Sequence, residues 1–183
     1  KYKAKLKKLS YTRKKEELTR IFTSNNIEYG IKLLCDLGLD ECLDLKNLKE
    51  IKIVDDILGI WAQLDVLDIY PFTKNERITI KKIKELLNKE ISNYNLYKYG
   101  LYISSIAAFI KGIPKKVVIA KYNALPIKEQ SDIDIIIDDI CSLLNKKPGK
   151  WIRALLNDLE LKIINKELKN DKKVLENYII NKF

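Results

Sequence analysis

Asp132 and Asp134, one residue apart, are the first residues in this chain whose types and spacing could do chemistry. On a strand, carboxylates so placed share a face and can hold two magnesium ions for nucleotidyl transfer. That chemistry also needs a phosphate cradle, commonly a glycine-rich turn of backbone N–H groups, and a third acid from a neighbouring strand. No Gly-Ser turn and no second strand pattern accompany this pair, so both are read as loop or capping residues. The chain has no histidine, which removes imidazole acid–base catalysis, His-activated nucleophiles and His metal clusters. No P-loop or dinucleotide fingerprint is present. Cys35, Cys42 and Cys141 lack metal-ligand spacing and are odd in number, which fits buried thiols in a reducing compartment. The residues of this chain, taken alone, read as non-catalytic, with no metal site.

Binding is the stronger signal. The 35 Lys and Arg residues exceed the 25 Asp and Glu to give a formal net charge of +10, which favours a polyanionic partner and serves solubility equally. Lys111, Lys115, Lys116, Lys121, Lys128, Lys146, Lys147, Lys150 and Arg153 recur at expected helix ends and loops with few acids between them. Such groups can grip phosphates without reading bases, the main mode of double-stranded RNA recognition. Composition leaves two readings open here, a phosphate-gripping surface or scattered solubilising lysines. The basic run Arg13-Lys14-Lys15 reads as solvated surface.

The elements that must position these residues are helices. Six glycines and four prolines among 183 residues leave little turn chemistry in a Lys, Leu, Ile and Glu-rich chain, so an all-α fold is expected, an elongated assembly of short-looped antiparallel helices. Lys1 to Lys8 reads as the end of a helix. Ser10 or Thr12 then caps one with Tyr11, Leu18, Ile21 and Phe22 on its apolar face, and Ile27 to Leu37 forms another ended by Gly38. Apolar residues every third or fourth position from Ile51 to Tyr70, Trp61 among them, predict a long buried helix stopped before Pro71. Pro71 to Arg77 reads as a linker, after which Thr79 caps a helix carrying Ile80, Ile83 and Leu87. A tyrosine-rich helix with Tyr99, Tyr102, Ile103, Ile106 and Ile110 ends at Gly112, and Pro114 opens the next. An extended turn over Asp132 to Ile137 leads to a helix capped at Asp138 and broken by Pro148-Gly149. Trp151, Ile152, Leu155, Leu156, Leu159 and Ile163 make a clean helical stripe that leaves Lys150, Arg153, Asn157 and Lys162 off it, and a last helix uses Val174, Tyr178 and Ile179. No apolar stretch reaches membrane length and no signal segment is evident, so a cytoplasmic protein with no membrane partner is expected. With no methionine and Lys1 first in a helical pattern, the chain reads as a fragment of a longer polypeptide.

Three stretches resemble the bacterial class II CCA-adding tRNA nucleotidyltransferases of the poly(A) polymerase superfamily. Ser10 to Gly38 is similar to the end of that family's neck, with a Ser-x-x-Arg, an acidic pair and a Leu-Leu-x-x-Leu-Gly-Leu segment. Asn95 to Ile127 resembles the body segment that ends in Leu-Pro-Ile-Lys, and Asp138 to Tyr178 the tail with its Lys-Pro-Gly-x-Trp turn. Glu129 and Gln130 depart from the serine and arginine usual after Leu-Pro-Ile-Lys, and Ile137 from a glycine. The resemblance implies the end of the neck and first body helices over residues 1–70, a body domain over 71–125 and a tail domain over 126–183. It implies tRNA as partner, held by its acceptor and TΨC arm, with Arg13, Lys115, Lys128, Lys147, Lys150 and Arg153 as phosphate contacts. Magnesium and CTP or ATP would belong to an N-terminal head domain of the same polypeptide, not to these residues. The alternatives are the same region of a bacterial poly(A) polymerase and a helical protein-interaction scaffold that binds no RNA.

Overall fold

Helix starts in this chain are set mostly by short polar side chains, and a computed structural model shows which of them act. It describes residues 2–182, and all side chains among these but those of residues 2 and 4. Ser10 accepts the Arg13 N–H and opens the second of ten α-helices, there being no strand among the described residues. The helices are α1 (Tyr2–Lys7), α2 (Tyr11–Phe22), α3 (Ile27–Asp36), α4 (Ile57–Ala62), α5 (Lys74–Leu87), α6 (Asn93–Ile110), α7 (Lys115–Asn123), α8 (Ile137–Leu144), α9 (Lys150–Ile164) and α10 (Lys172–Lys182). The all-α expectation holds. Contacts divide the chain into two compact units, one formed by the chain through Glu90 with Tyr102–Lys115, the other by Ile91–Leu101 with everything from Lys116.

In the first unit the core is aromatic. Trp61, 1% exposed, lies within 5.2 to 5.4 Å, ring centre to ring centre, of Phe22, Tyr70 and Phe72. The long helix expected over Ile51 to Tyr70 is only the six residues of α4. Asp56 caps it, accepting from the Leu58 and Gly59 amides at 2.9 and 3.1 Å. Upstream the chain is not helical, and the Gln63 side chain pairs with the backbone of Lys52 as a strand would: its Oε1 accepts the Lys52 N–H at 2.7 Å and its Nε2 donates to the Lys52 carbonyl at 2.8 Å. Leu64, Val66 and Tyr70 are buried from turns rather than from a helix.

Two further starts differ from expectation. Residues 74–77 are the first turn of α5, not a linker: Thr73 accepts the Glu76 N–H while the Glu76 carboxylate accepts the Thr73 N–H, a capping box that makes Thr79 a helix-interior residue. Of the α2 basic run only Arg13 is solvated surface. Lys14 is 4% exposed, donates to the Cys42 carbonyl at 3.4 Å and sits 4.3 Å over the Tyr11 ring; Lys15 pairs with Glu76 at 3.0 Å.

The tyrosine-rich helix α6 is interrupted at Gly100, whose φ of 75° and ψ of 169° belong to a region that side-chain-bearing residues avoid. Its missing Cβ would point into open space, with no heavy atom within 4 Å. Gly100→Ala is therefore expected to cost about 1–3 kcal/mol through backbone strain alone, read as a lower urea midpoint at unchanged m-value; an unchanged midpoint would show that the chain relaxes into continuous helix there.

The second unit buries Leu96, Ile127, Ile133, Ile140, Leu155, Leu159, Ile163, Leu175 and Ile179, and α10 packs on α8. Leu175, not Val174, takes the buried position of α10. Helix α8 starts without a side-chain cap, Asp138 and Asp139 lying in its first turn, where acids suit the helix dipole. Asp139 pairs with Lys172 at 2.6 Å. Helix α8 ends at Asn145 in left-handed backbone, φ 49°, three residues before Pro148. No helix among the described residues is long and apolar enough to cross a membrane.

Candidate nucleic-acid interface

The Lys-Lys-Pro-Gly turn is built so that α9 begins bare. Gly149 occupies its cap position in extended backbone and offers no side chain to the first-turn amides, and that turn contains no acid. The Trp151 indole folds back over the turn, its Nε1 donating to the Lys147 carbonyl at 3.1 Å. A Cβ on Gly149 would come within 3.2 Å of that indole, so a side chain there would require the indole to shift by a few tenths of an ångström. Lys147, Lys150 and Arg153 stand around this helix start, all exposed, and none meets a carboxylate within 4 Å among the described residues. Partial positive charge from the amides and three uncompensated cations thus coincide.

The other three candidates sit in different surroundings. Lys128 lies in the loop after α7, its ammonium 5.7 Å over the Tyr122 ring. Arg13 is already neutralised, paired with Glu16 at 3.3 Å and Glu17 at 2.8 Å. Lys115 is the exposed first residue of α7. Arg13 and Lys115 belong to the first unit, the other four to the second. Of the wider basic set, Lys111 is spent on structure, donating to the Leu87 and Lys89 carbonyls at 2.9 and 2.7 Å beyond the end of α5.

Asp132 and Asp134 do loop work, as their sequence context suggested. Asp132 accepts from the Lys128 and Glu129 amides at 2.7 and 3.1 Å, and these bonds hold its carboxyl below the usual carboxylate range. Asp134 accepts the Lys172 N–H at 3.2 Å, while Asn170 clips the loop by donating to the Asp132 carbonyl and accepting the Asp134 N–H. Among the described residues no three His, Cys, Asp or Glu side chains gather as metal ligands would.

Sequence reasoning missed a polar cluster beside the turn. Gln130 Nε2 donates to Glu160 at 2.7 Å. Glu160 also accepts from the Tyr97 hydroxyl, whose pKa is raised by burial first and by this carboxylate second. Residues 30 apart share no local pattern, so only the aligned polar positions of α9, Asn157 and Glu160, could have hinted at it.

This geometry falls inside a stretch that matches a known protein family: residues 62–179 fit the family described as tRNA nucleotidyltransferase domain 2. The chain belongs to the tRNA nucleotidyltransferases. Residues 1–43 match a second family description, "Probable RNA and SrmB- binding site of polymerase A". Among the relatives, the CCA-adding enzyme of Oceanobacillus iheyensis is 24% identical over 90% of the chain and 49% of its own length. That of Bacillus mycoides is 28% identical over 59% of the chain and 32% of its own length. The crystal structure of the Bacillus stearothermophilus CCA-adding enzyme in complex with CTP superposes with a TM-score of 0.77 over 96% of the chain and 53% of that protein, at 16% identity, a likeness of fold. The chain thus spans about half the length, or less, of these relatives.

Proposed function

We propose that this chain is the tRNA-binding portion of a CCA-adding tRNA nucleotidyltransferase, holding the acceptor and TΨC region so that the 3′ end reaches a catalytic head domain outside these residues. The observation that carries the reading is the uncompensated Lys147, Lys150 and Arg153 around the bare start of α9, within the stretch matched to the family. Three cations at a helix start can fix the phosphates of an A-form stem without consulting its sequence, because the deep major groove of RNA hides the base edges. Lys128, in the same unit, would extend the grip along the backbone, Lys115 would make a separate contact from the first unit, and Arg13 adds least because Glu16 and Glu17 already neutralise it. Magnesium and CTP or ATP would be handled by the head, and the whole protein would work in the cytoplasm. In this reading the residues form the end of a neck, a body and a tail.

A second reading, the same region of a poly(A) polymerase, has the match of residues 1–43 in its favour; the two separate on whether the intact polypeptide extends tRNA 3′ ends or unstructured RNA. The proposal itself is tested by titrating the chain with an acceptor/TΨC minihelix across a salt series, beside an unrelated duplex of equal length. Binding that prefers the minihelix and weakens steeply with salt is expected. Absence of binding at low salt would overturn it and leave the scaffold reading in place.

A further inference from the structure

Between the 130–138 loop and the first half of α9 runs a groove that only Arg153 among the proposed phosphate contacts borders. Two adjoining hollows of about 480 and 700 Å³ share Gln130, Ile137 and Leu156 as lining. The larger opens beside Pro148-Gly149 and Arg153 and has Ile137, Ile152 and Leu156 as an apolar floor. Asn157 and Glu160 line it as well. Glu160 is not loose: Gln130 donates to it at 2.7 Å and Tyr97 also bonds it, so this end of the groove presents oriented oxygen acceptors.

Charge and polarity together restrict the occupant. The side near Arg153, flanked in sequence by Lys147 and Lys150, favours an anion, whereas Glu160 repels one and favours a hydrogen-bond donor. Between the two lies the apolar floor of Ile137, Ile152 and Leu156. A free phosphate fits only the first condition, and an apolar helix fits only the last. A nucleotide within an RNA strand meets all three, with phosphates on the basic side, a base face on the isoleucines and leucine, and an exocyclic amino group toward the carboxylate; uracil is disfavoured because its one donor, N3–H, lies between two carbonyl oxygens that Glu160 repels. We propose that this groove takes one unpaired, amino-bearing nucleobase, adenine, cytosine or guanine in place of uracil, from a loop of the bound RNA. This deepens the tRNA-binding reading above and rests on it. It adds base recognition to a surface otherwise suited to phosphates alone.

The test uses three RNAs sharing one stem: a hairpin with an adenine- and cytosine-containing loop, a hairpin with a uridine-only loop, and the blunt duplex. The unmodified chain is expected to favour the first hairpin over the second by about five- to tenfold, the range of one stacked and hydrogen-bonded base. Ile137→Gln and Asn157→Leu change no charge and alter exposed side chains; each is expected to cut that preference to about twofold or less, with duplex affinity and salt slope unchanged. Asn157→Leu keeps the test decisive should Ile137→Gln fail to fold. No loop preference in the unmodified chain, or a preference that survives both variants, overturns the base slot while duplex binding still supports the tRNA reading. Failure to bind any of the three RNAs overturns both. Variants that change self-association in sedimentation, with RNA affinity untouched, would make the groove a contact between copies and overturn the slot.

Discussion

Joint replacement of Lys147, Lys150 and Arg153 by alanine is expected to weaken binding of a tRNA minihelix roughly a hundredfold near physiological salt and to flatten the slope of log affinity against log salt by about 2 to 3. The size follows from their environment. None has a carboxylate within 4 Å among the described residues to satisfy its charge, so each is available to displace a counterion from RNA. All three are exposed, and exposed substitutions of this kind alter stability by no more than about 0.5 kcal/mol each; the melting temperature should therefore hold while affinity falls. Arg13→Ala is the internal contrast. Its guanidinium already faces two glutamates, and its loss should change affinity by no more than about threefold. Equal effects of the two changes would mean that the tRNA surface is not centred on the α9 start.

Trp61→Ala is expected to remove about 3–5 kcal/mol of stability, a large share of the roughly 5–15 kcal/mol typical of a domain. The indole is 1% exposed and is packed by Phe22 of α2, by Tyr70 and by Phe72 just ahead of α5. Removing it leaves a cavity whose aromatic walls come from α2 and from the Tyr70 to Phe72 segment and cannot collapse together. Tyr70 is further tied by its hydroxyl to the Leu43 carbonyl and by its ring to Tyr11 at 5.3 Å, so the hole cannot be filled by a simple ring flip. Urea unfolding followed by circular dichroism measures the loss. A cost below about 1.5 kcal/mol, the range of tolerated volume-conserving swaps, would show that the aromatic cluster repacks.

Which parts of this architecture could be read from residues alone depended on whether the deciding partner was near in sequence. Ser10, Gly38 and the Ile152 to Ile163 stripe act within a few positions, and each was readable from its own neighbourhood. The segment from Ile51 to Tyr70 was not. Its apolar spacing carries a helical period, yet Gln63 reaches back 11 residues to hold the Lys52 backbone outside any helix. Gly100 hid for another reason: Tyr99, Ile103 and Ile106 are buried on either side of it, so a one-residue break leaves the apolar pattern nearly intact. The candidate surface divides the same way. Lys147, Lys150 and Arg153 fall within two turns and stood out as a group, whereas the Gln130–Glu160 pair needs a fold to bring it together.

The burial of Lys14 supplies something useful at the bench. Its ammonium is enclosed by the Cys42 carbonyl and the Tyr11 ring, and it is the one buried lysine among the described residues. Amine-reactive footprinting of this lysine-rich chain needs a position whose reactivity reports folding and nothing else. Lys14 is that internal standard: it stays unmodified while the first unit is intact, whatever RNA does elsewhere. Protection of Lys147 and Lys150 by a ligand, scored against an unlabelled Lys14, would separate contact with RNA from loss of structure in a single mass spectrum.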